Sequence, residues 1–276
     1  METYLELRDG TVRKRNDMIQ DGRFNLSIVE QKILLCLISR IDPRDTELRM
    51  TMFSIPEFCR VCGIEPESGR NYQRLKETIK RLADKSWWIQ NPKDEKQVQL
   101  IRWISDVEID QDKDGNIIGG KIKLRLSDHM RDYLLQLREK FTEYELIYTL
   151  RFKSKFSIRL YEFLVSIHYH DIEPYTNEFT LDRIRMIIGA EQYKTWQHLK
   201  DRALVPAVTE INSYSDKEVR FEPTKNGRRI VGIVLTVESK PAMERIKAHS
   251  DAEKALGTDQ MTLWDILCEK GETCDG

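Results

Sequence analysis

Apolar side chains recur at helical spacing in several separate stretches of this chain. Residues 26–41, LSIVEQKILLCLISRI, carry a broad apolar stripe and predict a helix that Pro43 stops. Residues 70–85 predict an amphipathic helix with a mostly cationic face opposite the apolar one. The predicted inward side chains of that helix are Tyr72, Leu75, Ile79 and Leu82. In the second half, residues 153–167 and 192–212 are helical by pattern, and Pro206 predicts a kink or restart.

Two pairs of stretches predict β-hairpins. Residues 98–109 and 117–126 flank the polar turn DQDKDGN. Further along, EVRFEP and residues 229–237 flank Lys225-Asn226-Gly227-Arg228. Asparagine and glycine accept the positive φ of a type I′ turn, so this turn type is expected in the second hairpin.

One short design occurs twice. The segment FSIPEFCRVCGI begins at Phe53, and FTLDRIRMIIGA begins 126 positions later at Phe179. Each has a hydroxyl residue at the N-cap position, Ser54 or Thr180, then apolar residues at helical spacing and a closing glycine. Around both segments the predicted order is helix, strand, helix, helix and hairpin, which indicates one module used twice.

That order is typical of the winged helix, a helix-turn-helix followed by a β-hairpin. The predicted fold class is therefore α+β, with two tandem winged-helix domains and a pseudo-twofold internal repeat. The predicted domains are a basic N-terminal arm (1–20), winged-helix domain 1 (21–126), a connector (127–150), winged-helix domain 2 (151–240) and an acidic flexible C-terminal tail (241–276).

Composition is that of a soluble globular protein, with 40% hydrophobic and 33% charged residues among 276. The net charge of −1 argues against a nucleic-acid partner, but the charge is unevenly distributed. Residues 241–276 hold 4 basic and 8 acidic side chains, leaving 41 basic and 38 acidic in residues 1–240. No run of 18 apolar residues and no secretion signal stands in the sequence, and the five cysteines are irregularly spaced. A cytoplasmic location is expected.

In a winged helix, the second helix of the pair reads a DNA major groove and the hairpin reaches the backbone or minor groove. Guanidinium groups can fork onto guanine or phosphate, and glutamine can pair with adenine. Taken singly, each such face is equally typical of a solvated helix surface. The candidate DNA-binding side chains are Arg70, Gln73, Arg74 and Arg81 in domain 1, and Lys194, Thr195, Gln197, His198, Arg202, Lys225, Arg228 and Arg229 in domain 2.

Three stretches carry a family resemblance: NLSIVEQKILLCLISRI, KSKFSIRLYEFL, and RALVPAVTEINSYSDKEVRFEP followed by GRRIVGIVLTV. Over residues 12–238 the sequence resembles the plasmid replication initiators of the iteron-binding, double winged-helix family. The resemblance implies that the two domains clamp repeated origin sequences in double-stranded DNA. It also implies origin opening with host factors and repression of the protein's own promoter by a dimer.

The same resemblance implies roles for particular residues. It assigns base reading to the helix that includes residues 194–202. Phosphate contacts are implied for Lys153, Ser154, Lys155 and Arg159.

Metal and cofactor sites are not expected. Cys59-x-x-Cys62 lacks a second ligand pair and predicts buried thiols instead. The run from Asp110 to Gly115 opens like a calcium loop, but Lys121 stands where a glutamate ligand is needed. No phosphate-binding loop is present.

Two functions other than replication initiation are compatible with parts of the sequence. One is a winged-helix transcription regulator. The other is a metal-dependent origin-nicking enzyme, with His168 and His170 as ligands and Tyr144 or Tyr148 as nucleophile. The two histidines continue a predicted helix, where residues two apart diverge, so no catalytic residue is expected.

The acidic tail carries one short motif with a binding chemistry. Its order of glutamine, aliphatic, small polar, leucine and aromatic resembles the sliding-clamp-binding pentapeptide, in which the last two side chains anchor in an apolar groove. A small amphipathic helix packing on the domain explains the same residues. The motif consists of Gln260, Met261, Thr262, Leu263 and Trp264.

Overall fold

The computed structural model folds the chain into two units, Met1–Leu146 and Ile147–Gly276. It describes residues 10–42, 44–61, 69–91, 94–113, 117–168 and 173–255, and the side chains at 57, 60, 61, 69–72, 95, 117 and 119 also stand outside the described part. Both units contain helix, strand, helix, helix and hairpin in that order, which confirms the duplicated module and the α+β fold of two winged helices.

In the described part of the first unit, five α-helices and a short 3-10 helix (Asp128–Met130) combine with seven strands. The helices are α1 (Asn16–Gln20), α2 (Ile28–Ile38), α3 (Ile55–Val61), α4 (Gly69–Asp84) and α5 (Arg131–Leu134). The strands are β1 (Thr11–Arg15), β2 (Thr51–Ser54), β3 (Ser86–Asn91), β4 (Asp94–Arg102), β5 (Ile104–Gln111), β6 (Ile117–Leu126) and β7 (Phe141–Glu145).

The wing of the first unit is the antiparallel pair β5 and β6, and β2 pairs with the other edge of β6. The predicted hairpin is confirmed for these two strands. Residues 98–102, however, belong to β4, which pairs with β3 in a hairpin that the sequence did not predict. Trp103, which is only 1% exposed, connects the last strand of one hairpin to the first strand of the other. The single apolar stretch around Trp103 therefore contributes to both hairpins.

The basic N-terminal segment is part of the fold from residue 11 onward. Strand β1 pairs along its length with β7, and Val12 is fully buried between them and the helices. The prediction of an arm over residues 1–20 is therefore wrong for residues 11–20, which form β1 and α1. Strand pairing explains this, because every second side chain of β1 points into the core.

Aromatic rings fill the centre of the first unit. The rings of Trp87 and Trp103 stack with centroids 4.6 Å apart, and Phe24 meets both edge-on at 5.2 and 4.9 Å. Aromatic pairs in such geometries contribute about 0.5–1.5 kcal/mol beyond the area that they bury. The cluster joins β3 to the start of β5, and so holds the β3–β4 hairpin to the winged helix.

A buried carboxylate fixes the position of α4. The Ser27 hydroxyl accepts a hydrogen bond from the Glu30 N–H at 3.3 Å, and the Glu30 carboxylate accepts one from the Ser27 N–H at 2.6 Å, a capping box at the start of α2. The same carboxylate lies 2.7 Å from Nζ of Lys85, directly after α4. Burial alone raises the pKa of Glu30, but the hydrogen bonds from Lys85 and Ser27 outweigh it and hold the pKa below its usual value.

Within its described residues, the second unit has six α-helices, one π-helical segment and three strands. The helices are α6 (Ile147–Leu150), α7 (Lys155–Ile167), α8 (Leu181–Ile188), α9 (Trp196–Leu199), α10 (Val205–Tyr214) and α11 (Ala242–Ala255), with a π-helical segment at Lys200–Leu204. The strands are β8 (Tyr175–Thr180), β9 (Lys217–Asn226) and β10 (Arg229–Ser239), in the sheet order β8-β10-β9.

The repeated capped helix is α8. Thr180 caps it by accepting a hydrogen bond from the Arg183 N–H at 3.2 Å, and Gly189 ends it in the left-handed conformation with φ 70°. Both features confirm the sequence prediction. The helix after it runs from α9 through the π-helical segment into α10. Helix α10 begins at Val205, so Pro206 lies in its first turn. The wider π turn accommodates the proline, which has no N–H to donate and whose ring crowds the preceding turn.

The wing of the second unit is the hairpin of β9 and β10. Asn226 pairs with Arg229, so Gly227 and Arg228 form the two-residue turn, and only Gly227 has a positive φ, 61°. This is the pattern of a type II′ turn, and the predicted type I′ turn is wrong. Deeper in the hairpin, a side chain at Gly232 would lie 2.6 Å from the carbonyl oxygen of Phe179 in β8, so only glycine allows this close pairing.

The predicted acidic tail begins with a packed helix. Helix α11 covers residues 242–255 and buries Ala248 and Ala252, so the prediction of a flexible segment is wrong for this part. Just before it, Nζ of Lys240 donates to the carbonyl of Ser215 at 2.9 Å and to that of Asn212. Among the described residues, no helix combines the length and apolar character needed to span a membrane.

We predict that Glu30→Gln destabilises the first unit by about 1–3 kcal/mol at pH 7, because neutral glutamine bonds Lys85 more weakly. The lowered pKa of Glu30 means that its contribution is complete above the unfolded pKa near 4.3 and is lost as pH falls through the folded pKa. The difference between variant and wild type should therefore shrink below about pH 4. Hydrogen exchange of the α2 amides at pH 7 and below pH 4 measures it.

The matched control is Glu47→Gln, which removes an exposed carboxylate from the same unit. We expect this control to leave exchange in α2 unchanged at both pH values. Equal exchange rates for Glu30→Gln and wild type at pH 7 would contradict the role given to Glu30.

Candidate nucleic-acid interface

The recognition segment of the second unit, residues 194–214, presents a polar outer surface. Its inner side chains Leu199 and Ala203 are fully buried, as the pattern predicts. The candidate DNA-binding side chains on it are exposed: Lys194, Thr195, Gln197, His198 and Arg202. Thr195 also caps α9, accepting a hydrogen bond from the His198 N–H at 3.3 Å, and Gln197 donates to Asp201 one turn later.

Arg185 fixes the start of this segment. From α8, its Nε donates to the carbonyl of Tyr193 and its Nη2 to the carbonyl of Lys194, both at 2.9 Å. Its third partner is Asp182, at 2.7 Å. The side chain is 12% exposed, so a nearly buried guanidinium closes the turn between α8 and α9. Arg185 is not among the residues predicted from the sequence, although its spacing of three from Asp182 on a helix was a signal.

A groove of about 470 Å³ lies where the recognition segment meets the wing. The starts of α8 and α9 form two sides and the first residues of β10 form the third. Of the residues predicted separately, the structure brings Lys194, Thr195, Arg228 and Arg229 together in this groove. The lining residues are Thr180, Leu181, Asp182, Arg185, Lys194, Thr195, Trp196, Arg228, Arg229, Ile230 and Val231.

The groove is cationic. Among the described residues that line it, the one carboxylate is that of Asp182, which is paired with Arg185. Two helix starts, α8 and α9, face it with the positive ends of their dipoles. Lys225 is exposed near the tip of β9, opposite Ile230, and extends the positive charge along the wing. This arrangement suits a bound phosphate backbone.

The start of α7 carries three of the four residues for which the family resemblance implied phosphate contacts. Ser154 caps the helix, accepting a hydrogen bond from the Phe156 N–H at 3.2 Å. Lys153 is exposed, and Nζ of Lys155 lies 5.1 Å from the centroid of the Phe156 ring. These three residues lie at the helix start, as expected for phosphate contacts.

Arg159 is a structural residue, and its predicted phosphate contact is wrong. The side chain is 5% exposed, and its Nε donates to the carbonyl of Ile187 at the end of α8, at 2.8 Å. Burial lowers its pKa to about 10, partly offset by Glu162 and Glu191, so it stays charged at neutral pH. Its place three residues after Phe156 put it on the apolar stripe, a signal that it points inward.

In the first unit, α4 occupies the position of the recognition helix. Leu75, Ile79 and Leu82 are buried, which confirms the inward face. Gln73, Arg74 and Arg81 are exposed on the opposite face, and Nη2 of Arg81 donates to the Thr78 hydroxyl at 2.8 Å. The side chain of Arg70 is outside the described part. Glu77 is exposed on the same face and accepts from Gln73 at 3.4 Å, so this face is less purely cationic than the groove.

The signals for nicking chemistry do not assemble into a site among the described residues. His168 is buried with its Nε2 3.3 Å from Glu173, and Tyr144 and Tyr148 are 6% and 7% exposed. His170 is outside the described part. No group of three or more His, Cys, Asp or Glu side chains within the described ranges is placed to hold a metal ion.

The remaining motifs are placed only in part. Cys59 is a buried thiol, as predicted, and Cys62 lies outside the described residues. Asp110 and Asp112 lie at the end of β5, where a hairpin turn was expected, and the rest of that loop is outside the described residues. The clamp-binding motif at residues 260–264 is also outside them and stays a prediction.

Comparisons with known proteins agree with this architecture. The family described as "Initiator Replication protein, WH1" matches residues 11–165, and "Initiator Rep protein, WH2" matches residues 180–237. A replication initiation protein from Escherichia coli is 24% identical over 250 residues, covering 87% of this chain and 73% of that protein.

A solved structure has the same fold. The crystal structure of the Pi initiator protein in complex with iteron DNA superposes with a TM-score of 0.64 at 17% sequence identity. The match covers 84% of this chain and 98% of that one. Together with the two family matches, which span the modules found in the structure, this identifies the chain as a member of the initiator replication protein family, with WH1 and WH2 winged-helix domains.

Proposed function

We propose that this initiator binds repeated origin sequences, iterons, in double-stranded plasmid DNA and promotes opening of the origin. The observation that carries the proposal is the cationic groove, which joins the start of the recognition segment to the wing in one surface. The Pi initiator, which shares this fold, has been solved in complex with iteron DNA, and this supports the same class of ligand here.

Base reading and phosphate contact fall to different parts of the second unit. The outer face of the recognition segment carries Gln197, His198 and Arg202, which can reach base edges in the major groove. The wing carries Arg228 and Arg229, whose guanidinium groups suit phosphates. Phosphate contacts supply most of the affinity and base contacts supply the sequence preference.

The first unit is proposed to add a second, weaker DNA contact. Arg74 and Arg81 are exposed on α4, in the position of the recognition helix. Because Glu77 shares that face, its phosphate attraction is smaller than that of the groove.

We expect the recognition segment and the wing to differ in their effects on DNA binding. In Gln197→Ala/His198→Ala, the preference for the repeat over a scrambled duplex should fall, because each lost base contact removes about 1–3 kcal/mol of discrimination. In Arg228→Ala/Arg229→Ala, all duplexes should bind more weakly, and the slope of log K against log salt should fall by about 2. Anisotropy titrations at several salt concentrations measure both quantities.

The charge-matched control is Arg245→Ala/Lys247→Ala in α11, which removes two positive charges from the same unit outside the groove lining. Both the preference and the salt slope should stay near the wild-type values. Base reading by the recognition segment is wrong if Gln197→Ala/His198→Ala weakens repeat and scrambled duplexes equally.

A dimer that represses the protein's own promoter is the second part of the proposal. In the described part of the first unit, Trp88, Val98 and Leu100 are more than half exposed. Trp88 pairs with Leu100 and Gln90 with Val98, so the three apolar side chains share one face of the β3–β4 hairpin. Exposed apolar faces of this kind favour association, and a symmetric dimer buries the same patch on both copies.

Trp88→Glu is therefore expected to shift the protein from dimer to monomer in sedimentation velocity runs. Promoter repression should fall with it, while binding to a single repeat persists. Met52→Glu adds the same charge at another exposed apolar position of the unit and should leave the dimer intact. A Trp88→Glu protein that remains dimeric would rule out this face as the interface.

A further inference from the structure

Glu210 in α10 binds the first turn of α7 through three donors. Its carboxylate accepts hydrogen bonds from the backbone N–H groups of Lys153 and Ser154, both at 3.1 Å, and from the Ser157 hydroxyl at 2.5 Å. Helices α7 and α10 also pack against each other. Glu210 therefore joins the recognition segment directly to the start of α7.

This carboxylate changes what the start of α7 can offer to DNA. Backbone N–H groups at the start of a helix attract anions such as phosphate. Here the N–H groups of Lys153 and Ser154 are bonded to Glu210, and that of Phe156 to the Ser154 hydroxyl. These three N–H groups are therefore occupied, and the ammonium groups of Lys153 and Lys155 supply positive charge for phosphate contact at this end of α7.

The two lysines and the recognition segment must contact DNA in one register. Lys153 directly precedes the cap of α7, whereas the base-reading side chains extend from α9. A fixed separation between phosphate contacts and base contacts is what sets the orientation of a protein on a duplex. The Glu210 carboxylate is the polar contact that ties these two elements together at the helix start.

We infer that Glu210 is a positioning residue for iteron recognition: it sets the recognition segment relative to the phosphate-contacting lysines of α7. The inference rests on the proposed function, since it presupposes that the second unit reads a DNA sequence. Glu210 itself does not contact DNA in this account. It affects DNA binding indirectly, through the hydrogen bonds that its carboxylate accepts from Lys153, Ser154 and Ser157.

The effect of removing Glu210 distinguishes positioning from simple charge. A carboxylate near a DNA-binding surface repels phosphate, so its loss by electrostatics alone tightens binding to every duplex. Loss of a positioning contact instead weakens binding to the repeat and spares binding to unrelated DNA. The two accounts therefore predict opposite changes for the repeat duplex.

The test measures the affinity of full-length Glu210→Gln and Glu210→Ala for a repeat duplex and for a scrambled duplex. We expect repeat binding to fall about tenfold in Glu210→Ala, equivalent to one lost base contact, and less in Glu210→Gln, which keeps one acceptor. Scrambled DNA should bind unchanged or more tightly. Glu222→Gln, an exposed carboxylate on β9, is the charge-matched control and should not reduce the preference.

Ser157→Ala provides a variant with no change of charge. Ser157 is fully buried, so it cannot contact DNA, yet its hydroxyl holds the same carboxylate. Positioning predicts a smaller loss of preference in the same direction as Glu210→Ala. An effect of charge alone predicts none.

Each outcome decides between the accounts. Tighter binding of both duplexes by Glu210→Ala would overturn the role of Glu210 and leave the proposed function intact. An unchanged preference in Glu210→Ala and Ser157→Ala would do the same. Equal weakening of both duplexes, with a lowered melting temperature, also overturns it, in favour of a purely structural role. A wild-type protein without preference for the repeat overturns the proposed function and this inference together.

Discussion

In each winged-helix unit, a carboxylate joins the start of one helix, α2 or α7, to the recognition helix or segment, and the unit depends on this contact. In the first unit, Glu30 caps α2 and binds Lys85 at the end of α4. In the second, Glu210 lies on the recognition segment itself and binds the first turn of α7. The two modules thus use the same kind of contact, but the carboxylate stands on α2 in the first unit and on the recognition segment in the second. Apolar packing buries the helices, but a directional polar contact fixes their rotation and separation.

The second unit converts that rigidity into a DNA-binding surface. Two arginines, Arg159 and Arg185, donate to backbone carbonyls at the end of α8 and in the turn that follows, so the recognition segment starts from a fixed point. The wing then brings Arg228 and Arg229 to the same groove. A chain with a net charge of −1 can therefore still present a locally positive surface, because the described lining of the groove carries four cationic side chains and one carboxylate.

Sequence patterns predicted the parts of this fold that depend on periodicity and local turn chemistry. The inward face of α4 and the glycine that ends α8 follow directly from the residues that form them. Tertiary contacts decided the rest. Arg159 is typical of a DNA contact by residue type, but its position on the apolar stripe buries it. The pairing of β1 with β7 joins residues 130 positions apart, as between Arg13 and Glu143, and no local pattern predicts such a partner. The groove was equally unpredictable, since its residues come from three elements.

The most direct test of the account is footprinting of the purified full-length protein on the DNA flanking its own coding region. The account predicts a row of protected sites repeated at roughly 20 base pairs, two helical turns, with one two-unit molecule on each repeat. Protection should disappear in Arg228→Ala/Arg229→Ala at moderate salt. A single palindromic footprint over the promoter, with no repeats protected nearby, would contradict the initiator account and favour a transcription regulator.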